Sequence, residues 1–210
     1  MKHRATIDVS NLPNVAMDHH SPVWWGNMLL LAIETTMFAL LVAMLFYVRV
    51  VDFVVWPPPM PNLPVLYNSA PDLLMPTICL LILLLSVLPM VWVDRACLKR
   101  NDTAIKMGLV ICVLMGTGAM LIRIFYGFAA LHFKWNDNAY ASITWTILGL
   151  HLTHIFVATS ELLIMTIWAF VKGLDAKHAR DIRITASYWY WVAGIWLLLY
   201  LVIWGGTRWL

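Results

Sequence analysis

The sequence predicts an all-α, polytopic membrane protein, a bundle of five transmembrane helices. Three observations carry that prediction. Composition is the first: 62% of the 210 residues are apolar and 12% are charged, where an average globular chain has roughly 45–50% and 25%. Mean hydropathy is +0.79, and too few polar side chains are present to coat a soluble core of this size. The second is a set of five long apolar stretches, each able to supply the ~20 residues that cross a bilayer. The third is the placement of the basic residues, which fall on alternate connections. This arithmetic excludes a cytosolic enzyme, a disordered chain and a disulfide-rich secreted module.

Residues 1–21 are polar and lack an apolar h-region, so they read as a cytoplasmic tail with no cleavable signal peptide. Residues 22–207 form one membrane domain. The first span runs from Ser21 to Val48 with Glu34 as its only charge, and the second, Leu73 to Val93, has none. Met107 to Leu131, the third, contains only Arg123; the fourth, Ala139 to Val171, contains only Glu161; the fifth, Ile184 to Thr207, is uncharged. Runs this long without strict alternation favour helices, and lipid cannot satisfy an open sheet edge.

Orientation follows from the cations. Lys2 and Arg4 in the tail, Arg95, Lys99, Arg100 and Lys106 after the second span, and Lys172, Lys177, Arg180 and Arg183 after the fourth lie on one side. The other side has Arg49, Lys134 and Arg208. The positive-inside rule then places the N-terminus in the cytoplasm and the C-terminus outside. Between the first two spans, Trp56-Pro57-Pro58-Pro59, Pro61, Pro64 and Pro71 predict an extended, semi-rigid outer loop. Cys79, Cys97 and Cys112 have no paired spacing and read as small buried hydrophobes. The net charge of +3 and the lack of a basic stripe argue against nucleic acid.

Ionisable groups inside a membrane cost about 2.5–3.5 kcal/mol on insertion scales, so each needs a reason. Glu34 lies ten residues beyond Trp24, about 15 Å along its helix. Glu161 lies ten residues before Val171 on a helix running the opposite way, at a similar depth. Two such carboxylates can share a proton, a cation or a water, or each can be protonated or bonded to Thr35, Thr36 or Ser160. His151, His154 and Glu161 share one helical face, which should point into protein. Neither haem nor a metal ion is expected there, because no matching third ligand or facing histidine exists; hydrogen bonding across a helix interface is the expectation. Arg123, about 24 Å along its helix, is expected to snorkel outward, with a meeting with His151 and a carbonyl as the alternative. No nucleophile–base pair or phosphate loop is present, so no residue is expected to be catalytic.

Several motifs are shared with a known family. Tyr140-Ala141-Ser142 followed by Gly149-Leu150-His151-Leu152-Thr153-His154 resembles the Tyr-Gly-Ser…Gly-Phe-His-Gly-Leu-His hallmark of haem-copper oxidase subunit III. The run from Tyr188 through Trp189, Tyr190, Trp191 and Ala193 to Trp196 resembles that family's Tyr-Trp-His-Phe-Val-Asp-Val-Val-Trp-Leu. Trp24-Trp25-Gly26, Ile33-Glu34 and Phe38 are similar to its early carboxylate-bearing helix, and Trp56 before three prolines recurs in bacterial members. The resemblance spans residues 22–206. It departs at Ile124 and Gly127, where the family has Gln and Glu, at Tyr190 and Ala193, where it has His and Asp, and at Leu152-Thr153.

The resemblance implies the five-helix bacterial form of a non-catalytic subunit in the inner (plasma) membrane. The first two of the family's usual seven helices would be supplied by an extended subunit I. Haem and copper are expected in the partner subunits I and II and none in this chain. It also implies a role in aerobic respiration within a proton-pumping terminal oxidase, alone or in a larger respiratory assembly. That role is to bind membrane phospholipid, cover subunit I and sustain its proton uptake, with Glu34 in the family's intramembrane carboxylate position. Lys177, Arg180 and Arg183 are candidates for lipid headgroups, each worth about 1 kcal/mol near an anionic surface, or simply set topology. Other readings are the third subunit of a quinol oxidase, an accessory protein of a nitric oxide reductase, or a small proton-coupled transporter using Glu34 and Glu161.

Overall fold

The computed structural model describes residues 21–52, 55–60 and 70–209. Most of the expected cytoplasmic tail and the loop prolines Pro61 and Pro64 lie outside them. The described residues contain five helices long and apolar enough to cross a membrane. They are α1 (Pro22–Asp52), α2 (Leu74–Lys99), α3 (Asp102–Ile122), α4 (Ala139–Val171) and α5 (Ala176–Tyr200). Two of them end in wide π turns, Arg123–Gly127 after α3 and Leu201–Gly205 after α5, and a short α6 (Gly206–Trp209) closes the described chain.

Two helices, α3 and α5, begin well ahead of their apolar runs, because polar caps and not hydropathy set their first turns. Pro22 opens α1 at a position where its missing N–H costs nothing. Asn101 accepts from the Ala104 N–H at 3.2 Å and starts α3 five residues ahead of Met107. Asn138 caps α4 through the Ala141 N–H at 2.8 Å. Asp175 caps α5 through the His178 N–H at 2.8 Å, well before Ile184. The α2–α3 turn is tight: Arg100 takes the left-handed conformation at φ 51° and Asn101 immediately caps the next helix. We call the end of the bundle with the α2–α3 and α4–α5 turns the basic end.

The Asp175 cap gives a pH dependence. The His178 backbone N–H, aided by its ring Nδ1 at 2.5 Å, holds this carboxyl below the ordinary aspartate value of 3.8. A depressed folded-state pKa contributes stability above the ordinary value, and that stability is lost as pH falls through the depressed one. Amide protection in the first turn of α5 should therefore fall on acidification, while the first turn of α4, capped by non-titrating Asn138, keeps its protection. Hydrogen-exchange mass spectrometry compares the two turns directly.

Packing is asymmetric. The α5 span is half buried within its most apolar window, touching α1, α2 and α4, whereas that of α1 is only 11% buried and rests on α4 and α5. The core lies where α5 meets its neighbours: Trp189, Trp196 and Trp204 are fully buried among Leu83, Leu109 and Ile147. Close approach depends on small residues, as expected where lipid supplies no hydrophobic drive between helices. A Cβ on Gly116 of α3 would sit 2.6 Å from Thr159 Oγ1 of α4 and 2.7 Å from Trp189 Cη2 of α5. Cys79, Cys97 and Cys112 are free and buried.

At the opposite end the chain is laced together. The Asp72 N–H donates to the Ala130 carbonyl at 2.9 Å and its carboxyl meets His132 Nε2 at 2.8 Å. Trp204 Nε1 donates to the Asp72 carbonyl and Arg208 to the Pro71 carbonyl. Trp56 packs edge-on against Tyr140 with ring centroids 4.7 Å apart, which anchors the described part of the proline-rich connection.

Candidate functional site

A groove of about 610 Å³ opens between α1, α4 and α5. Its wall is mostly apolar, with Leu30, Met37, Val157 and Ile164 among the lining residues. Its polar groups are Asn27, Glu34, Thr153, His154, Glu161, Asp181, Thr185 and Tyr188; among the described residues it has no lysine or arginine. Glu34 and Glu161, from different helices, thus line one groove.

The central contact joins α1 to α4: His154 Nε2 lies 3.0 Å from Glu34 Oε2. The histidine is nearly buried, the glutamate more open toward the groove. His154 Nδ1 lies 2.7 Å from the Leu150 carbonyl one turn back. A carbonyl can only accept, so Nδ1 carries a hydrogen. That leaves a single proton between Nε2 and Oε2. The pair is either a neutral carboxylic acid donating to imidazole, or a carboxylate accepting from imidazolium. The Phe38 and Trp191 rings enclose the imidazole at 5.2 and 5.3 Å, and Trp191 Nε1 donates to Thr35 Oγ1 at 2.8 Å. Thr35 and Thr36 hydroxyls donate to backbone carbonyls in their own helix and do not reach Glu34.

His151, His154 and Glu161 lie on one stripe of α4 but serve three neighbours. Three residues turn the helix by about 60° short of full register, enough to point His151 at α5 and His154 at α1. His151 is fully buried; its Nε2 donates to the Val192 carbonyl at 3.0 Å and its ring stacks on Trp196 at 4.7 Å. Each histidine thus makes a hydrogen bond to another helix. Glu161 is exposed on the groove wall. Among the described residues no group of three or more His, Cys, Asp or Glu side chains is placed to hold a metal ion.

The remaining predicted residues are dispersed. Tyr140 is buried between Trp56 and Phe133, and Ser142 Oγ donates to the Trp135 carbonyl at 2.6 Å. Gly149 faces open space. Trp189 donates to Ser86 Oγ at 2.9 Å. At the basic end Arg183 pairs with Asp94 of α2 at 2.7 Å, Arg180 with its neighbour Asp181 at 3.1 Å, and Lys177 is exposed. Asn27 and Asp181 carry no sequence signal that marks them, and Tyr188 enters the sequence reading only as the start of an aromatic motif. Asp181 sits in a run of alternating charges and Tyr188 in an aromatic run, where no spacing signal marks a groove. Asn27 donates to Ser187 Oγ at 2.6 Å, tying α1 to α5 at the groove's end.

The family model described as "Cytochrome c oxidase subunit III" matches residues 8–207. The chain belongs to the cytochrome c oxidase subunit III family. Relatives named "Cytochrome c oxidase subunit 3" include one from Spodoptera frugiperda, 28% identical over 132 residues, which covers 62% of this chain and 89% of that one. That of Drosophila melanogaster is 28% identical and that of Papio hamadryas 30%, each over 127 residues, covering 60% of this chain and 48% of theirs. The chain thus aligns with about half the length of these two relatives.

Within the family, the most informative departure is around Arg123. Outward snorkelling was the expectation for this residue; instead its side chain is buried, with 2% of the residue exposed. The guanidinium lies 3.5 Å over the Trp196 ring and donates to Cys79 Sγ at 3.6 Å. The cause is local: the π turn that starts at Arg123 folds the side chain back over its own backbone. A Cβ on Gly127 would lie 2.8 Å from Arg123 Cδ. The arginine stem therefore takes the space beside Gly127, the position where the family usually has Glu. Ile124 is exposed, Ala193 is buried, and Tyr190 buries its hydroxyl. The familiar interior polar positions of the third and fifth helices are thus replaced by one buried cation over an indole.

Proposed function

We propose that this chain is the non-catalytic third subunit of a proton-pumping haem-copper terminal oxidase of aerobic respiration. The family match across residues 8–207 carries the reading. It sits in the plasma membrane of a bacterium, with the basic end cytoplasmic, in keeping with the ten cations on that side of the sequence. It covers one face of subunit I beside subunit II, and these partners hold the haem and copper. His151 Nε2 and both ring nitrogens of His154 are engaged by protein groups, which fits a chain that leaves redox chemistry to its neighbours. Phospholipid tails fill the apolar part of the α1–α4 groove, and Lys177 reaches headgroups at the cytoplasmic surface.

Glu34 supports sustained proton uptake at the cytoplasmic entrance of subunit I. Affinity purification in mild detergent should bring down subunits I and II with their haem spectrum. A stoichiometric haem band retained by the isolated chain overturns the reading. Glu34→Gln should leave assembly intact while lowering sustained turnover and proton uptake; unchanged values in the assembled variant would make Glu34 a structural group.

A further inference from the structure

We infer that Glu34 and His154 act as one proton-binding unit, and that Glu161 passes its proton to and from the water at the basic end. This deepens the proton-uptake reading and takes from it only its purpose; the chemistry stands on this chain alone. Three observations carry it. The Leu150 carbonyl fixes the Nδ1 hydrogen, so one proton is shared across the 3.0 Å contact between Nε2 and Oε2. The carboxylate side of the pair opens to the groove and the imidazole side is closed by Phe38 and Trp191. Glu161 stands on the same wall, seven residues further along α4, about 10 Å nearer the basic end. It makes no hydrogen bond or ion pair among the described residues.

The groups facing the pair are few. From α1 comes Thr35, already engaged by Trp191; from α4, Thr153 and Glu161; from α5, Tyr188 and, nearest the basic end, Asp181 with its partner Arg180. Among the described residues no lysine or arginine lines this wall to compete with the proton for the Glu34 carboxylate. Exchange is balanced: the pair gives up the proton that the Glu161 carboxylate gains, leaving a Glu34 carboxylate against neutral His154. Glu161 then releases it past Asp181. Tyr188 lines the same groove as both carboxylates.

Infrared difference spectroscopy on the complex as purified with its partner subunits tests this, with water replaced by D2O. Glu34→Gln identifies the pair's carboxyl absorption by its loss. In His154→Phe the same C=O absorption should move to higher frequency, because its hydrogen-bond acceptor is gone. If wild type holds the ion-pair form, the absorption should instead appear only in His154→Phe, which equally reports a shared proton. Glu161→Gln should leave the absorption in place but slow its isotope shift. An absorption unmoved by His154→Phe, or exchange in Glu161→Gln as fast as in wild type, overturns the inference. His154→Gln, which keeps a polar group opposite Glu34, replaces the phenylalanine variant if that one fails to assemble. Turnover read on the same preparations separates the two ideas: normal turnover in Glu34→Gln with the expected spectra removes the proton-uptake role and leaves the pair standing.

Discussion

Trp189→Ala should destabilise the bundle by about 3 kcal/mol, the low end of the range for emptying a buried tryptophan site. The low end applies because lipid tails are as apolar as the core, so the transfer contribution that operates in water largely drops out. What remains is lost packing. Trp189 is fully buried on α5, bonded to Ser86 of α2 and touching the bare backbone at Gly116 of α3. No single neighbour can collapse into the space, since three helices define it. Ser86 itself keeps its bond to the Leu83 carbonyl, so the polar penalty is small and the cavity dominates. Trp92, 42% exposed on α2, is the control: Trp92→Ala should change stability by no more than about 0.5 kcal/mol. Unfolding in mixed detergent micelles measures both, and equal shifts would contradict this account of the core.

Arg123 should show an inverted order of severity. Arg123→Ala removes both the charge and the stem that fills the space beside Gly127, and should be about 2–4 kcal/mol less stable than Arg123→Met. Arg123→Met keeps the stem and discards only the charge. No carboxylate pairs with the guanidinium among the described residues, and Cys79 Sγ is a weak acceptor. Desolvation of an ion costs several kcal/mol, while cation–π attraction returns about 2. The methionine variant should therefore match or exceed wild type in stability, by up to about 4 kcal/mol. The same unfolding measurement decides. A methionine variant as weak as the alanine one would mean that the charge has a counter-ion supplied from outside this chain.

The five spans were legible because each is a long apolar run, and composition alone makes helices of such runs in lipid. Their ends were not. The first turns of α3 and α5 are polar, and the caps Asn101 and Asp175 extend each helix into what hydropathy reads as loop. The candidate site divides in the same way. Glu34, His154 and Glu161 stand out as polar groups in apolar surroundings, and the shared stripe on α4 follows from spacing. That His154 meets Glu34 across 120 residues of sequence depends on how α1 lies on α4, which no local pattern encodes. Arg123 was misread for a related reason. Snorkelling is the default for a lone arginine near a helix end, and only the π turn and the missing side chain at Gly127 make room for it inside.

The slight burial of α1 has a thermodynamic corollary. This helix supplies one half of the Glu34–His154 contact yet is the least held of the five. The contact and the seating of α1 are thus two readings of one equilibrium. Any molecule that binds the outer face of α1 more tightly when the helix is seated strengthens the contact by the same factor with which the contact strengthens its binding. The Glu34–His154 contact then becomes a gauge of assembly, and a neighbouring molecule acts on it as an effector without ever touching it.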